Sequence, residues 1–261
     1  MRASGEAQAE ATTVATPGID RVVTELRVIV EHAIAQGTRD GYFASLYLNM
    51  TLAVKRGIEE GLFDDGPRMD RLDAVFAQRY LDAHAAYFSG DPVTRSWRVA
   101  FDSTRRWRPL ILQQLLLGMN AHINLDLGIA TAEIAGNQPL SLMRSDFDRI
   151  NGIIASLTDR TQTSIAASAP LLSVLDLFAG RSDELLADFS IQVARDGAFQ
   201  FAERLAGLPP DARAGAIVDR DHKIAALGAA IARPGLLLSA ATLPLRLLER
   251  GAPSQITRRL L

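Results

Sequence analysis

The chain of 261 residues contains no cysteine, and this absence removes a whole set of chemistries. Disulfides, thiolate zinc sites, iron–sulfur clusters and cysteine nucleophiles are excluded, which leaves histidine, aspartate and glutamate as the side chains able to bind a metal ion. Histidine is scarce too, with four residues in the chain. Any metal site would therefore combine a few imidazoles with carboxylates.

Long apolar runs and concentrated positive charge are missing as well. No uninterrupted apolar stretch reaches the roughly 20 residues of a membrane-spanning helix, and the nearest one, residues 234–248, is interrupted by Pro244 and Arg246. We interpret that stretch as a packed terminal helix, with a peripheral membrane contact as the alternative. The formal net charge is -2 and there is no lysine or arginine cluster, so nucleic-acid binding is not expected.

The first 17 residues are small and polar, and they lack the apolar core of a secretory signal. We therefore predict a disordered tail over residues 1–18, a cytoplasmic location and one domain over residues 19–261. Hydrophobic residues make up 48% of the chain, which is enough for a sizeable core. No repeat of fixed period and no long low-complexity linker divides the sequence.

Sequence motifs of hydrolases and nucleotide-binding enzymes are absent: the chain has no G-x-S-x-G elbow and no Walker loop. The alternation typical of strands is almost missing, whereas apolar residues recur three and four positions apart. This pattern predicts an all-α fold, a multi-helix bundle around a buried central helix. The predicted helices cover residues 19–36, 41–61, 67–89, 93–106, 108–135, 146–167, 170–179, 182–206, 211–231 and 235–249.

The helix predicted over residues 108–135 is apolar on nearly all sides, as expected of a helix surrounded by others. Its middle nevertheless contains Asn120, His122, Asn124 and Asp126. Buried polar groups need partners, since an unpaired one costs about 1–3 kcal/mol. A four-residue step places His122 and Asp126 on one helical face. We predict that both point into one cavity, and an ordinary hydrogen-bonded pair is the alternative.

Other imidazoles and carboxylates could join this pair. Asp219 and His222 have the carboxylate-x-x-His spacing of helical dimetal proteins and share a face of the helix predicted over residues 211–231. Neutral imidazole and carboxylate bind iron, manganese or zinc, and two such ions would neutralise carboxylates in a dry cavity. The sequence therefore predicts a metal site. Its candidate ligands are His122, Asp126, Asp219, His222, His84, Asp40 and His32, with Glu31, Glu59, Asp82 and Asp176 as weaker candidates.

Some of these candidates have competing structural interpretations. Asp40 lies between the first two predicted helices, where an aspartate is also typical of a helix N-cap. His32 is more typical of an ordinary core or surface histidine, and His84 fits either interpretation. Asp221 is expected to point away from Asp219, as a cap or toward water.

The residues around the central pair resemble those of a known family. The hallmark G-M-N-A-H-I-N-x-D-L is present at residues 118–127, and it is similar to that of a bacterial family long catalogued only as a domain of unknown function. The similarity extends over most of residues 20–231. The hallmark residues carried over are Asn120, His122, Asn124 and Asp126, with family aspartates near Asp40 and Asp219; His32, His84 and His222 lie outside the generic pattern.

Within that family, the chain resembles the non-haem diiron monooxygenases of platensimycin and platencin biosynthesis. The resemblance implies two iron ions, dioxygen as co-substrate, an external electron donor, and hydroxylation of a hydrophobic diterpenoid carried as a coenzyme A thioester. We expect Asn120 and Asn124 to hydrogen-bond to the metal ligands. The chain departs from ferritin-like diiron proteins, because it has no pair of E-x-x-H motifs.

Two further hypotheses use the same residues. A metal-dependent hydrolase would use these ligands to activate water for cleavage of a thioester or phosphoester. A metal-free helical protein would sequester an apolar ligand, with His122 and Asp126 as a buried structural pair. Dependence on dioxygen separates the oxygenase from the hydrolase, and insensitivity to chelators identifies the metal-free protein.

Overall fold

The computed structural model describes residues 18–166, 191–233 and 243–261. In these ranges the chain is all-α and contains no strand, which confirms the predicted fold class. No helix there has the length and apolar character needed to cross a membrane. The predicted tail up to residue 17, the helix at 170–179, residues 182–190 of the next helix, residues 235–242 and the weaker candidate Asp176 lie outside the described residues.

The helices are α1 (Ile19–Gln36), α2 (Gly41–Glu59), α3 (Gly66–Ser89), α4 (Arg95–Thr104), α5 (Ile111–Ala121), α6 (Gly128–Ala135), α7 (Ser141–Ala166), α8 (Ile191–Gly207), α9 (Pro210–Ala232) and α10 (Pro253–Arg259). A π-helix, His122–Leu127, joins α5 to α6 without a break. Residues 243–248 are also helical. Helix α7 begins five positions before the predicted start at 146, and α10 was not predicted.

Local signals explain several of the helix ends. Helix α1 ends at Gly37, whose φ of 65° lies in the left-handed region that glycine adopts without strain. The side chain of Asp65 accepts a hydrogen bond of 2.9 Å from the backbone N–H of Arg68 and caps α3. Pro67 lies in the first turn of that helix, where a backbone N–H would have no acceptor within the helix, so its missing N–H costs no hydrogen bond.

The continuous helix formed by α5, the π-helix and α6 is the buried centre that the sequence predicts. It contacts α2, α3, α4, α8 and α9. Leu115, Ala121, Leu125 and Ala130 on it are at most 1% exposed. The central helix differs from the prediction in its π-helix, because the apolar pattern predicts an uninterrupted α-helix over residues 108–135.

Two glycines allow neighbouring helices to lie close to the central one. A Cβ atom on Gly118 would lie 2.5 Å from the Phe43 ring on α2, and one on Gly128 would lie 2.7 Å from the backbone oxygen of Ala198 on α8. Both distances are shorter than van der Waals contact, so only glycine fits without a shift. Helices α2 and α8 therefore pack directly against the ends of the segment that carries the candidate site.

Candidate functional site

The π-helix is the first distinctive feature of the candidate site. A π-turn inside an α-helix is rare and is frequently found at functional sites. This one contains His122, Asn124 and Asp126, all of which are less than 9% exposed. The widened turn brings Nδ1 of His122 to 3.5 Å from Oδ2 of Asp126.

The two asparagines tie this segment to helix α9. The Asn124 amide donates to the side-chain oxygen of Asn120 over 3.1 Å, and the Asn120 amide donates to the carbonyl of Ile224 over 2.9 Å. Arg220 in turn donates to the carbonyl of Asn124 over 2.9 Å. These bonds hold the π-helix in place, and they differ from the predicted role of the asparagines as hydrogen-bonding partners of metal ligands.

Both carboxylate oxygens of Asp126 have strong donors. Nε of Arg79, on α3, donates to Oδ1 over 3.1 Å, and the indole N–H of Trp97, on α4, donates to Oδ2 over 2.8 Å. Asp126 and Trp97 are each 1% exposed, whereas 29% of the Arg79 side chain remains accessible. The carboxylate therefore bridges three helical segments, and its charge is balanced by a guanidinium that reaches the surface.

His122 is buried among aromatic rings. Its ring stacks on Phe76 with centroids 3.6 Å apart, and Tyr47 meets it edge-on at 4.4 Å. Nδ1 of His122 faces the Asp126 carboxylate at 3.5 Å, whereas Nε2 has no hydrogen-bond partner in the described structure. Burial lowers the pKa of His122, and this effect outweighs the nearby Asp126 carboxylate. The imidazole is therefore neutral near pH 7, with a nitrogen lone pair free to accept a proton or bind a ligand.

A second predicted pair, His84 and Asp40, is also brought together. Nε2 of His84 lies 3.3 Å from Oδ2 of Asp40, which is 7% exposed. Although burial alone raises the pKa of Asp40, hydrogen bonds with His84 and Thr38 lower it below the usual range. Asp40 makes no side-chain cap to α2. The Tyr80 ring lies between the two pairs, 5.9 Å from His84 and 6.1 Å from His122.

The remaining predicted ligands lie elsewhere. His32, Asp219 and His222 are exposed, and so are the weaker candidates Glu31, Glu59 and Asp82. His32 and His222, both predicted as ligands, therefore lie on the outer faces of α1 and α9, away from the buried His122.

Helix α9 turns a different face inward from the one that the sequence suggests. Asp221, expected to point away from Asp219 as a cap or toward water, is 7% exposed and acts as a cap. Its carboxylate accepts hydrogen bonds from the backbone N–H groups of Arg95 and Ser96 over 2.8 and 2.9 Å, and from the Ser96 hydroxyl over 2.7 Å. It caps α4 from a distant part of the chain. The capping interaction keeps Asp219 and His222 on the solvent side.

The described residues contain no group of three histidine, aspartate or glutamate side chains close enough to hold a metal ion. They place the predicted ligands as two pairs, His122 with Asp126 and His84 with Asp40. The full predicted ligand set is therefore not gathered around one point within the part of the chain that the structure describes.

Sequence reasoning missed the residues that enclose the central pair. Phe76, Tyr80 and His84 recur every four residues on α3, which places them on one face of that helix. This four-residue spacing is the sequence signal that could have identified them, because it places the two aromatic rings on the same helical face as the candidate ligand His84. The roles of Arg79 and Trp97 could not be read in the same way, since each depends on its contact with Asp126.

Comparison with known proteins yields one result. The model of a family of unknown function (DUF5995) matches residues 19–234, a range that includes both histidine–aspartate pairs. No curated protein and no solved structure matches the chain. Because the function of this family is unknown, the match does not indicate an activity. The geometry around His122 is the remaining indication of function.

Proposed function

The chain belongs to the DUF5995 family of unknown function, and we propose that it is an enzyme in which His122 is the reactive side chain and the substrate is an apolar small molecule. One observation carries the proposal: His122 is 2% exposed, lies on a π-helical turn, and its Nε2 has no hydrogen-bond partner in the described structure. A buried imidazole left unpaired destabilises a fold by about 1–3 kcal/mol. Such a group is retained where a bound molecule completes it.

The neighbours of His122 are suited to holding it for a reaction. Asp126 lies beside Nδ1 and is itself fixed by Arg79 and Trp97. A carboxylate at Nδ1 orients an imidazole and leaves Nε2 for the chemistry. Phe76 and Tyr47 cover the ring and exclude water. Phe76 is partly exposed, so a single layer of side chains separates His122 from solvent.

The proposed reaction is oxygenation by a non-haem iron centre, the activity that the sequence resemblance implies. A neutral imidazole with an unpartnered Nε2, next to a carboxylate, is a donor set that iron accepts. Iron, when bound, would supply the activation of dioxygen, while the aromatic walls hold the substrate. The described residues contain no group of three potential ligands. The other ligands of the iron would be water molecules or groups outside the described residues. The second iron, the diterpenoid thioester and the electron donor stay predictions.

A metal-free function is the second candidate, and the surroundings of Asp126 favour it. Both oxygens of that carboxylate already accept hydrogen bonds, one of them from the cationic Arg79. A positive charge at this position repels a second cation. In the metal-free alternative, His122 binds the polar group of an apolar ligand directly or exchanges a proton with it.

Metal analysis of purified protein separates the two candidates. The full chain is produced in iron-replete culture, and iron per chain is measured for the wild type, His122→Gln, and the matched control His222→Gln, which changes an exposed histidine. We expect stoichiometric iron in the wild type and the control and loss of iron in His122→Gln. We also expect chelation to lower the melting temperature of the two iron-loaded proteins.

The opposite results are equally informative. A wild-type protein that holds no iron, and whose melting temperature does not respond to chelators, would exclude the iron centre and support the metal-free alternative. Iron that persists in His122→Gln would place the metal elsewhere and contradict the assigned role of His122.

A further inference from the structure

Two segments that are distant in the sequence meet on one side of the molecule. Residues 105–110 connect α4 to α5, and residues 243–250 include the short helix at 243–248. Nε of Arg246 donates to the backbone carbonyl of Trp107 over 2.7 Å, and the same guanidinium lies 5.3 Å from the centre of the Trp107 ring. Residues 105–108 and 243–250 therefore form one surface, which we call the Trp107 face.

The Trp107 face exposes large apolar side chains. Trp107 is 48% exposed, and Leu243, Leu247 and Leu248 are 41%, 68% and 53% exposed. Single exposed apolar residues are ordinary on protein surfaces, whereas several large ones together mark a surface that binds something. Tryptophan is also enriched where a membrane meets water, because its ring is apolar and its N–H needs a polar partner.

The charge of the Trp107 face is strongly positive. Its two segments contain five arginines and one acidic residue. The exposed arginines are Arg105, Arg106, Arg108 and Arg250. The acidic residue, Glu249, has a side chain only 2% exposed and is paired with Arg246 over 3.0 Å. A further arginine, Arg39, donates to the backbone carbonyl of Arg106 over 3.2 Å. Because these arginines come from separate parts of the chain, no long basic run reveals them in the sequence.

We infer that the Trp107 face binds the surface of an anionic lipid bilayer. Trp107 and the leucines insert at the boundary between headgroups and acyl chains, and the arginines contact the lipid phosphates. Exposed apolar side chains beside basic ones are the combination by which proteins lie on a membrane. Attachment of this kind stays in the interface and needs no membrane-spanning helix.

Two other occupants fit the Trp107 face less well. A twofold dimer places the same patch on both subunits, so a second copy of the chain would bring arginine against arginine. A nucleic acid would pair with the arginines, but protein–nucleic acid interfaces are polar and would leave the three leucines without a partner. An anionic bilayer accommodates the leucines and the arginines together.

This inference goes beyond the proposed function and does not depend on it. The Trp107 face contains none of the residues assigned to the site around His122. Its tests need neither iron nor dioxygen, so a missing iron centre would leave the inference standing.

Sedimentation of the full chain with lipid vesicles tests the inference. The vesicles contain phosphatidylcholine alone or phosphatidylcholine mixed with phosphatidylserine. We expect binding at low salt to be about tenfold tighter for the mixed vesicles, because arginines near an anionic surface each contribute to affinity. Most of this preference should disappear at about 1 M salt, where the Debye length is only about 3 Å.

Tryptophan fluorescence shows which face meets the lipid. The chain contains two tryptophans, and Trp97 is 1% exposed. The mixed vesicles should therefore shift the emission of the wild type to shorter wavelength through Trp107, which leaves water. In Trp107→Phe the remaining emission comes from Trp97 and should not shift.

Matched variants separate this face from the rest of the surface. Leu247→Ser should weaken vesicle binding about tenfold and Arg108→Gln about fivefold. The controls are Leu142→Ser on α7, where the leucine is 57% exposed, and Arg204→Gln on α8, where the arginine is also exposed. Both controls should bind like the wild type. All four substitutions change exposed side chains, so the melting temperature should stay the same.

The inference is overturned if the wild type ignores the mixed vesicles, if it binds both kinds of vesicle equally, or if the controls lose as much binding as Leu247→Ser and Arg108→Gln. A wild-type dimer that Leu247→Ser converts to a monomer would make this face an interface between copies. Binding of duplex DNA that Leu247→Ser leaves unchanged, without binding to vesicles, would make the face a nucleic-acid site.

Discussion

Two buried aspartates, Asp146 and Asp126, are each 1% exposed, but they lie in very different surroundings. Asp146, on α7, accepts hydrogen bonds from the backbone N–H groups of Asp64 and Asp65 over 2.7 and 3.0 Å. It also accepts from Arg68 over 3.2 Å and Arg149 over 2.7 Å. These donors satisfy the carboxylate and join α7 to the start of α3.

Around Asp126 the carboxylate is also satisfied, by one hydrogen bond to each oxygen, but some polar groups beyond it are not. Nε2 of His122, the hydroxyl of Tyr80 and one carboxyl oxygen of Asp73 are buried and have no hydrogen-bond partner in the described structure. A polar cluster whose members satisfy one another contributes to the fold, as the Asp146 cluster does. The open groups near Asp126 include a neutral imidazole on a π-helical turn. On the proposed function, the difference between the two regions separates structural from functional polarity in this chain.

The largest expected loss of stability is at Asp146, whose carboxylate has all its hydrogen-bond donors. Asp146→Ala leaves two backbone N–H groups and two guanidiniums without their acceptor, so we expect it to lower the free energy of unfolding by about 3 kcal/mol. Urea denaturation followed by circular dichroism measures this. The control is Asp196→Ala, whose side chain is 41% exposed and should contribute less than about 1 kcal/mol. Equal losses in both variants would remove the distinction.

The close approach of α8 to the central helix gives the next largest effect. In Gly128→Ala the new methyl would lie 2.7 Å from the backbone oxygen of Ala198, which cannot rotate away. We expect a loss of about 1–3 kcal/mol from overpacking. Gly215→Ala is the matched control, because no atom lies within 4 Å of its Cβ position. It should stabilise α9 by roughly 0.5–1 kcal/mol, and a similar loss in both variants would contradict the close packing.

The two regions should respond to pH with opposite sign. Burial raises the pKa of Asp73 from 3.8 to about 7. Between these values the folded chain holds a proton that the unfolded chain lacks, so the contribution of Asp73 to stability falls as pH rises through this window. Burial alone would raise the pKa of Asp146, but its hydrogen bonds lower it. Its contribution is therefore present above 3.8 and is lost on acidification.

Urea denaturation at a series of pH values, for the wild type and Asp73→Asn, isolates this effect. Glu249, whose pKa burial raises to about 7, is common to both proteins and cancels in the difference. The variant should gain stability relative to the wild type as the pH rises toward 7. Parallel curves would show that Asp73 titrates normally in the folded chain.

The smallest effects are expected at the exposed histidines. His32→Gln and His222→Gln lie on solvent-facing sides of α1 and α9. Surface substitutions of this kind usually change stability by less than about 0.5 kcal/mol. Both variants should match the wild type in melting temperature and in bound iron. A clear loss of either property would mean that these histidines meet a partner beyond the described contacts.

Much of the fold could be predicted from the sequence because it is encoded locally. The apolar spacing and Gly37 predict α1 with both of its observed ends, and the all-apolar segment around Leu115 predicts the buried central helix. The π-turn could not be predicted, because the segment is apolar on nearly all sides and the phase shift caused by an extra residue leaves no visible break in its pattern. The contacts that join it to α9, through Asn120 and Asn124, are tertiary.

The candidate site was predictable where its residues are neighbours along one helix. The four-residue step pairs His122 with Asp126, whereas the face of α9 could not be assigned from spacing. That helix is rich in alanine and its apolar pattern is weak, so its orientation depends on Asp221 capping a helix far away in the sequence. The unpartnered states of Tyr80 and Asp73 are likewise tertiary properties, because a partner's absence cannot be predicted from a local pattern.

The most direct test of the central claim is the free energy of unfolding of His122→Leu, measured by urea denaturation in the presence of a chelator. Nε2 of His122 has no partner and Nδ1 has only the Asp126 carboxylate at 3.5 Å, so an apolar side chain of similar size should leave the chain at least as stable as the wild type. A loss of about 2 kcal/mol or more would show that the imidazole holds the fold together. That result would contradict its assignment as the reactive group of the site.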